Sequence, residues 1–286
     1  MELNDIKKVG IVGSGLMGNG IAQIVAAAGY DVILCDLNME LVNRGFEAIK
    51  KRVDKDVQKG KITEENRNDL MNRMTIVDSY EALSEVDLII EAIVEKMEVK
   101  KDLYRKIDTI CKPDCIFATN TSGLSITEIG SSTKRSDKVI GTHFFNPVPV
   151  MKLLEIIRGY DTSDNTYEVA KSFGVRIGKE VITVNEAPLF AVNRILAPMM
   201  NEAIFVLQES IATREDIDKG MVLGANHPIG PLALADLVGL DTLLMVMETI
   251  YNETHDSKYR PCTLLTKMVR AGHFGRKSGK GFYDYN

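Results

Sequence analysis

The stretch Val9-Gly10-Ile11-Val12-Gly13-Ser14-Gly15-Leu16-Met17-Gly18 decides the fold of the first part of this chain of 286 residues. It begins with an apolar run, continues with the glycine pattern G-x-G-x-x-G and leads into a segment typical of a helix. A second apolar run, 31–35, is followed directly by Asp36. A strand, a glycine-rich turn, a helix and a second strand that ends in an acid form a unit that binds dinucleotides in α/β proteins.

Each part of this unit has a separate predicted role. Gly13 permits the tight turn after the strand, Gly15 lets backbone N–H groups approach a pyrophosphate, and Gly18 allows the helix to pack closely on the sheet. We expect Asp36 to accept hydrogen bonds from the adenosine ribose and to repel a 2′-phosphate, which favours NAD(H) over NADP(H). A glycine-tolerant turn in an unrelated α/β protein is the alternative. The predicted cofactor loop comprises Gly13, Ser14, Gly15, Leu16, Met17 and Gly18.

The composition argues against several classes of protein. A net charge of −5 does not suggest a nucleic-acid-binding surface, and 45% hydrophobic residues support a packed core. The four cysteines suit neither a zinc site nor a disulfide framework, so we expect reduced thiols, no metal and a cytoplasmic protein. The uncharged run 9–30 contains many glycines and fits a strand, a turn and a helix. We therefore expect no membrane span. Met1 leads straight into a charged segment, so we expect no signal peptide either.

Short apolar runs alternate with helical stretches in the first part of the chain, which predicts a mostly parallel, doubly wound α/β sheet. Strands are predicted at 8–12, 31–35, 75–77, 87–91, 115–119 and 138–143, with two further apolar runs at 152–157 and 180–184. Helices are predicted at 15–28, 39–59, 63–73, 97–110, 125–130 and near 164–176.

The character of the chain changes near residue 186, where strand-like runs end. Helical periodicity then dominates 189–209, 213–222, 232–253 and 261–271. We therefore predict a Rossmann-type domain over 1–186 and an all-α domain over 187–286. Methionines in the second domain fit either a core or a helical dimer face, and they include Met199, Met200, Met245 and Met247.

The main candidate for chemistry is His143, which ends the apolar run 138–143. Ligands of open α/β sheets bind at the carboxyl ends of strands. If the run 152–157 pairs antiparallel with this strand about Pro149, the register places His143 opposite Glu155. A histidine oriented by a carboxylate is a general acid/base pair. A packed structural histidine is the alternative.

Polar residues also follow two other predicted strands. Asn120 and Ser122 come after 115–119, where they would bind the nicotinamide ribose or a substrate oxygen, or simply shape a turn. Glu91 and Lys96 come at the end of 87–91 and would meet the cofactor at the same sheet edge, or belong to a solvated charge run.

Two further features are open to alternative interpretations. Asn193, early in the first helix of the second domain, would reach across a cleft between the domains, or is an ordinary helical asparagine. The helix predicted at 39–59 would receive phosphates on its basic face, or that face is simply solvated. Its basic residues are Lys50, Lys51, Arg52, Lys55 and Lys59.

Taken together, these motifs resemble the short-chain L-3-hydroxyacyl-CoA dehydrogenase family over essentially the whole chain. The His143-Phe144-Phe145-Asn146-Pro147 motif is highly specific to that family. The other similar segments lie at 13–18, 91–95, 120–122, 230–231 and 279–283.

The resemblance implies reversible hydride transfer between NAD(H) and C3 of an acyl-CoA, in fatty-acid or butanoate metabolism. The expected short substrates are acetoacetyl-CoA and (S)-3-hydroxybutyryl-CoA. The resemblance also implies a second domain that binds substrate and joins the chain into a homodimer or a dimer of dimers.

Roles of single residues follow from the same resemblance. His143 is expected to be the acid/base and Glu155 its partner, while Ser122 and Asn193 position the substrate. Asn146 would help to hold substrate and cofactor together, and Lys55 would contact CoA. The positions that match cofactor contacts are Asp36, Glu91, Lys96, Ser122 and Lys277.

The sequence leaves two other classes of protein open. A β-hydroxyacid dehydrogenase of the phosphogluconate type has a similar domain order, but it relies on a lysine base and the His143 motif argues against it. A non-catalytic NAD-binding structural protein is the second alternative, as lens crystallins related to this family illustrate. The set of His143, Glu155, Ser122 and Asn193 argues against that role.

Overall fold

The computed structural model describes residues 1–285. The chain divides into two compact units, one up to Glu186 and one from Ala187 onward. Each unit has its own cluster of buried apolar side chains. None of the helices in the described part of the chain has the length and apolar character that crossing a membrane requires.

The first unit is built on one sheet of eight strands, in the order β3-β2-β1-β4-β5-β6-β7-β8. Strands β1 to β6 run parallel, β7 is antiparallel to β6, and β8 is parallel to β7. The predicted doubly wound sheet is confirmed. The strands are β1 (Lys8–Val12), β2 (Asp31–Cys35), β3 (Met74–Val77), β4 (Leu88–Glu91), β5 (Ile116–Thr119), β6 (Val139–Phe144), β7 (Leu153–Arg158) and β8 (Glu180–Asn185).

Helices lie between most of these strands. They are α1 (Leu16–Ala27), α2 (Met39–Gln58), α3 (Glu64–Asn72), α4 (Met97–Ile110), α5 (Ile126–Gly130) and α6 (Asp164–Arg176). Four of them begin at a polar side chain that accepts a hydrogen bond from the first turn, and at α5 this cap is Ser125. Because β1, β4, β5 and β6 are parallel neighbours, the loops that follow them emerge at one edge of the sheet.

The second unit is helical apart from isolated β-bridges near its end. Its helices are α7 (Val192–Gln208), α8 (Arg214–Gly224), α9 (Pro231–Val238), α10 (Leu240–Thr254) and α11 (Thr263–Arg270). Among its methionines, Met200 and Met247 are buried in the core, whereas Met245 is exposed. The core interpretation therefore applies to Met200 and Met247, whereas a dimer face at Met245 stays a prediction.

Two helix boundaries in this unit differ from the sequence prediction. The single helix predicted at 232–253 is wrong, because Gly239 has a φ of +101° and separates α9 from α10. The helix predicted from residue 189 begins only at Val192, since Leu189 and Phe190 have φ values of 64° and 59°. Helical periodicity does not detect single residues with left-handed backbone.

The chain end is fastened by the buried carboxylate of Asp236 in α9. It accepts hydrogen bonds from the backbone N–H groups of Phe282 and Tyr283 and from the Tyr285 hydroxyl, each at 3.0 Å. A Cβ at Gly281 would lie 1.9 Å from Asp236 Oδ1, so only glycine fits there. The segment 279–283 therefore has a clear structural role.

Candidate active site

A cleft of about 770 Å³ opens at the carboxyl edge of the sheet, between the glycine loop, α2 and α4. Gly13 has a φ of +96°, and a Cβ there would lie 2.6 Å from the Ala92 carbonyl oxygen. At Gly18 a Cβ would lie only 1.7 Å from the Gly13 carbonyl oxygen. The turn at Gly13 and the close packing at Gly18 are thus as predicted.

The cleft fits a dinucleotide on three observations. Gly15 has no atom within 4 Å of where its Cβ would be, so a ligand can approach the backbone there. Gly15 is also the N-cap of α1, so the positive end of the helix dipole faces this position. The volume lies within the range of about 300–1,000 Å³ that is usual for cofactor sites.

Asp36 lines the same cleft and is tied to the glycine loop. Its Oδ2 atom accepts hydrogen bonds from the backbone N–H and the hydroxyl of Ser14, both at 2.7 Å. Its Oδ1 atom accepts one from the Leu37 N–H at 2.8 Å. The carboxylate therefore has a fixed position at the end of β2, and its bond to Ser14 is a contact that sequence reasoning missed.

His143 and Glu155 form the predicted cross-strand pair. They are directly opposite in the antiparallel register of β6 and β7, with His143 Nδ1 2.7 Å from Glu155 Oε2. His143 is 5% exposed and Glu155 is fully buried. Because a carboxylate only accepts hydrogen bonds, Nδ1 carries the hydrogen and Nε2 is the nitrogen that can exchange a proton with a substrate.

The loop after β5 is joined to the His143 strand through Asn120. The Asn120 Oδ1 atom accepts a hydrogen bond from the Phe144 N–H at 2.9 Å, one residue beyond His143. The His143 and Phe145 rings lie 4.5 Å apart between centroids. Asn120 is largely buried, and its amide oxygen holds the end of β5 to the end of β6.

Glu91 departs from its expected role. Its carboxylate is completely buried and accepts hydrogen bonds from Lys100 Nζ at 2.5 Å, Thr119 Oγ1 at 2.7 Å and the Ile93 N–H at 2.8 Å. This burial leaves the side chain no surface for the expected contact with a cofactor. Glu91 is not part of a solvated run of charged residues either, which was the alternative interpretation. Its side chain holds the loop after β4 in place.

Comparison with known proteins decides the family. The model of the 3-hydroxyacyl-CoA dehydrogenase NAD binding domain matches residues 8–187, and the model of the C-terminal domain matches residues 190–285. The chain belongs to the 3-hydroxyacyl-CoA dehydrogenase family. The cofactor of the family's first domain is NAD, in agreement with the NAD(H) predicted from the glycine loop and Asp36.

Relatives in this family match nearly the full length. The chain is 49% identical to 3-hydroxybutyryl-CoA dehydrogenase of Clostridioides difficile, covering 98% of this chain and 99% of that protein. It is 39% identical to the mitochondrial hydroxyacyl-coenzyme A dehydrogenase of Homo sapiens, covering 98% and 91%. The crystal structure of (S)-3-hydroxybutyryl-CoA dehydrogenase from Ralstonia eutropha matches with a TM-score of 0.97 and 48% identity, covering 98% and 99%.

The other residues expected from the family resemblance lie in several places. Lys96, Ser122 and Asn146 are exposed in loops at the carboxyl edge of the sheet. Asn193 lies in the first turn of α7, and Lys277 forms an ion pair with Asp241 at 2.6 Å within the second unit. Their ligand contacts stay predictions.

The basic face of α2 is smaller than the sequence suggested. Lys55 is exposed, as a ligand contact requires. Arg52, however, points inward and donates to Gln23 Oε1 at 2.5 Å and Asn19 Oδ1 at 2.8 Å on α1. It therefore braces α2 against α1 and does not contribute to a phosphate-binding face.

Sequence reasoning missed Lys179, which precedes β8. Its ammonium donates to the carbonyl oxygens of Val148 and Met151, both at 2.6 Å, and so fastens the loop that contains Asn146. Burial lowers the pKa of the Lys179 side chain. The only signal in the sequence is a lysine directly before the apolar run 180–184.

Proposed function

We propose that this chain is an NAD(H)-dependent 3-hydroxybutyryl-CoA dehydrogenase, which interconverts acetoacetyl-CoA and (S)-3-hydroxybutyryl-CoA. The observation that carries the proposal is the buried pair of His143 and Glu155, at the same sheet edge as the glycine loop. The names of relatives that are 45–49% identical support the four-carbon substrate. We propose that the reaction belongs to butanoate or fatty-acid metabolism.

In the proposed reaction His143 moves the proton. The nicotinamide, when bound, delivers a hydride to C3 of the substrate or accepts one from it. For reduction, protonated His143 donates from Nε2 to the 3-oxo oxygen. For oxidation, neutral His143 accepts the proton of the 3-hydroxyl group. Glu155 holds the ring through Nδ1 and stabilises the imidazolium form.

Other residues of the chain would hold the reactants. Ser122 and Asn193 would donate hydrogen bonds to the substrate oxygen on which negative charge develops, and Asn146 would help to bring substrate and cofactor together. Lys55 would contact CoA. The residues proposed to contact NAD(H), besides the loop 13–18, are Asp36, Lys96, Asn120, Ser122, Asn146 and Lys277.

Steady-state kinetics test this proposal. The value of kcat/KM, measured by NADH oxidation, should be highest with acetoacetyl-CoA. It should decrease along a series of 3-oxoacyl-CoA substrates of four to sixteen carbons. A longer preferred substrate would overturn the four-carbon assignment. No turnover with any member of the series would reject the enzyme function and favour a non-catalytic NAD-binding protein.

We also propose that the chain forms a homodimer through its second unit and resides in the cytoplasm. Large apolar side chains are exposed on its helices, a feature of interaction surfaces, and they are Ile195, Leu223, Leu237, Val238 and Met245. The four cysteines are free thiols, which is usual in the cytosol. Analytical ultracentrifugation should give twice the chain mass, and a monomer would contradict the dimer.

A further inference from the structure

The connection between β6 and β7 joins the two halves of the proposed acid/base pair. These antiparallel strands bring His143 opposite Glu155, and the loop 145–152 between them contains Asn146. Within this loop, two backbone N–H groups share the Pro147 carbonyl oxygen as their acceptor, each at 2.9 Å. Where the loop lies on the sheet is therefore decided by the partners that its other backbone groups find outside it.

A buried lysine outside the loop is the donor to two of these groups. Lys179 is 7% exposed, and its ammonium donates to the carbonyl oxygens of Val148 and Met151, both at 2.6 Å. Its Nζ atom also lies 6.0 Å from the centroid of the Phe144 ring on β6. No carboxylate within residues 1–285 forms an ion pair with this ammonium. The buried charge is therefore stabilised by the loop carbonyl oxygens and one aromatic ring.

The backbone of Lys179 is itself anchored directly before β8. Its N–H donates to the Gly174 carbonyl oxygen of α6 at 3.0 Å, and the N–H of the next residue donates to the Lys152 carbonyl oxygen at 2.9 Å. On its other side the loop packs so closely on α1 that a Cβ at Gly20 would lie 2.9 Å from Val148 Cβ. Lys179 therefore holds the loop between the edge of the sheet and the helix that follows the glycine loop.

We propose that Lys179 is a positioning residue for the dehydrogenase reaction, because its ammonium fixes the loop 145–152 and, through it, Asn146. This inference rests on the proposed function, in which Asn146 helps to bring substrate and cofactor together and His143, two residues before the loop, moves the proton. Without the ammonium, two carbonyl oxygens lose their donor and the loop shifts. A displacement of about 1 Å in a reacting group costs roughly 10²-fold in rate. Loss of Lys179 should therefore reduce kcat far more than it weakens the binding of NADH to the glycine loop.

The test compares variants of Lys179 with a second lysine of the same region. Lys179→Met fills nearly the same space but removes the charge and the donors, whereas Lys179→Gln keeps an amide donor on a side chain that is one bond shorter. Lys152→Met is the control, since the side chain of Lys152 is 81% exposed. We expect kcat with acetoacetyl-CoA to fall by about 10²-fold in Lys179→Met and by a smaller factor in Lys179→Gln. The control should keep wild-type kcat.

Two further measurements separate positioning from stability. A lysine that only stabilised the fold would affect the urea midpoint of unfolding and leave kcat of the folded enzyme unchanged. The dissociation constant for NADH, from fluorescence titration, should change much less than kcat in both Lys179 variants. If Lys179→Met does not fold, Lys179→Gln decides. Wild-type kcat in the folded Lys179 variants, with an active wild type, would overturn this inference alone. No turnover by the wild type would overturn the proposed function as well.

Discussion

At the scale of single residues, the proposed chemistry depends on one hydrogen bond between two buried side chains. Glu155 has no exposed surface and binds Nδ1 of His143, so it determines which ring nitrogen carries the hydrogen. A neutral amide in its place would still fit, but it would neither stabilise the imidazolium nor impose the same tautomer.

We therefore expect Glu155→Gln to reduce kcat by between about 10-fold and 10⁴-fold while the protein remains folded. The measurement is NADH oxidation at saturating acetoacetyl-CoA. Glu180→Gln is the control, because Glu180 is an exposed carboxylate on the neighbouring strand β8. Equal rates for wild type and Glu155→Gln would show that the carboxylate has no part in proton transfer.

A second residue-scale prediction concerns acid stability. Asp87 accepts hydrogen bonds from the N–H groups of Lys7 and Lys8, at 2.7 and 2.8 Å, and from the Lys112 ammonium. Burial alone would raise the pKa of Asp87, but these hydrogen bonds outweigh it and lower the pKa below its ordinary value of 3.8. The stabilisation is therefore present above that value and is lost as the pH falls through the lower pKa of the folded state.

Asp87→Asn should consequently be less stable than wild type near neutral pH, and the difference should shrink in acid. The measurement is the urea midpoint of unfolding as a function of pH. Asp69→Asn, at an exposed position on α3, is the control and should follow the wild type. A difference that does not depend on pH would contradict the assigned cause.

At the scale of elements, the site is assembled from loops that leave parallel strands at one edge of the sheet. The alternation of strands and helices predicted this edge, and antiparallel pairing about Pro149 predicted that His143 faces Glu155. The burial of charged side chains was not predictable in the same way. Lys100 shares the helical spacing of Leu103, Tyr104 and Ile107, but only packing shows that this face of α4 is covered.

The sequence pattern also did not predict the break between α9 and α10. A glycine inside a helical period is compatible with a continuous helix, and its φ is decided by the tertiary structure. At Gly239 the left-handed backbone is accompanied by crowding, since a Cβ would lie 3.0 Å from Lys277 Nζ and 3.1 Å from Asp241 Oδ1.

Gly239→Ala should therefore lower the free energy of unfolding by about 1–3 kcal/mol. Gly220 provides the matched control, because it lies within α8 and no atom is within 4 Å of the position of its Cβ. Gly220→Ala should raise stability by about 0.5–1 kcal/mol. Opposite shifts in the urea midpoint are expected, and equal shifts would contradict the role of the backbone at Gly239.

At the scale of the whole molecule, the residues that line the cleft at the glycine loop all lie in the first of two units with separate cores. We expect this cleft to discriminate between cofactors through one charge, the Asp36 carboxylate that Ser14 and Leu37 hold at its edge. A 2′-phosphate would bring negative charge to this carboxylate, so NADPH should bind more weakly than NADH.

Thermal unfolding measures this difference directly. A ligand at one hundred times its dissociation constant stabilises the folded state by about 2.7 kcal/mol. At that concentration NADH should raise the unfolding midpoint, and the same concentration of NADPH should raise it much less. Replacing Asp36 by Asn should narrow the gap between the two cofactors. Equal midpoint shifts in the wild type would contradict the role of Asp36.

In the proposed reaction His143 transfers the proton, whereas the cofactor is held elsewhere, by the glycine loop and Asp36. The most direct test measures kcat for acetoacetyl-CoA reduction and the dissociation constant for NADH in His143→Ala. We predict that kcat falls by at least about 10²–10⁴-fold while NADH binds with nearly unchanged affinity. Turnover close to that of the wild type would contradict the role of His143 in proton transfer.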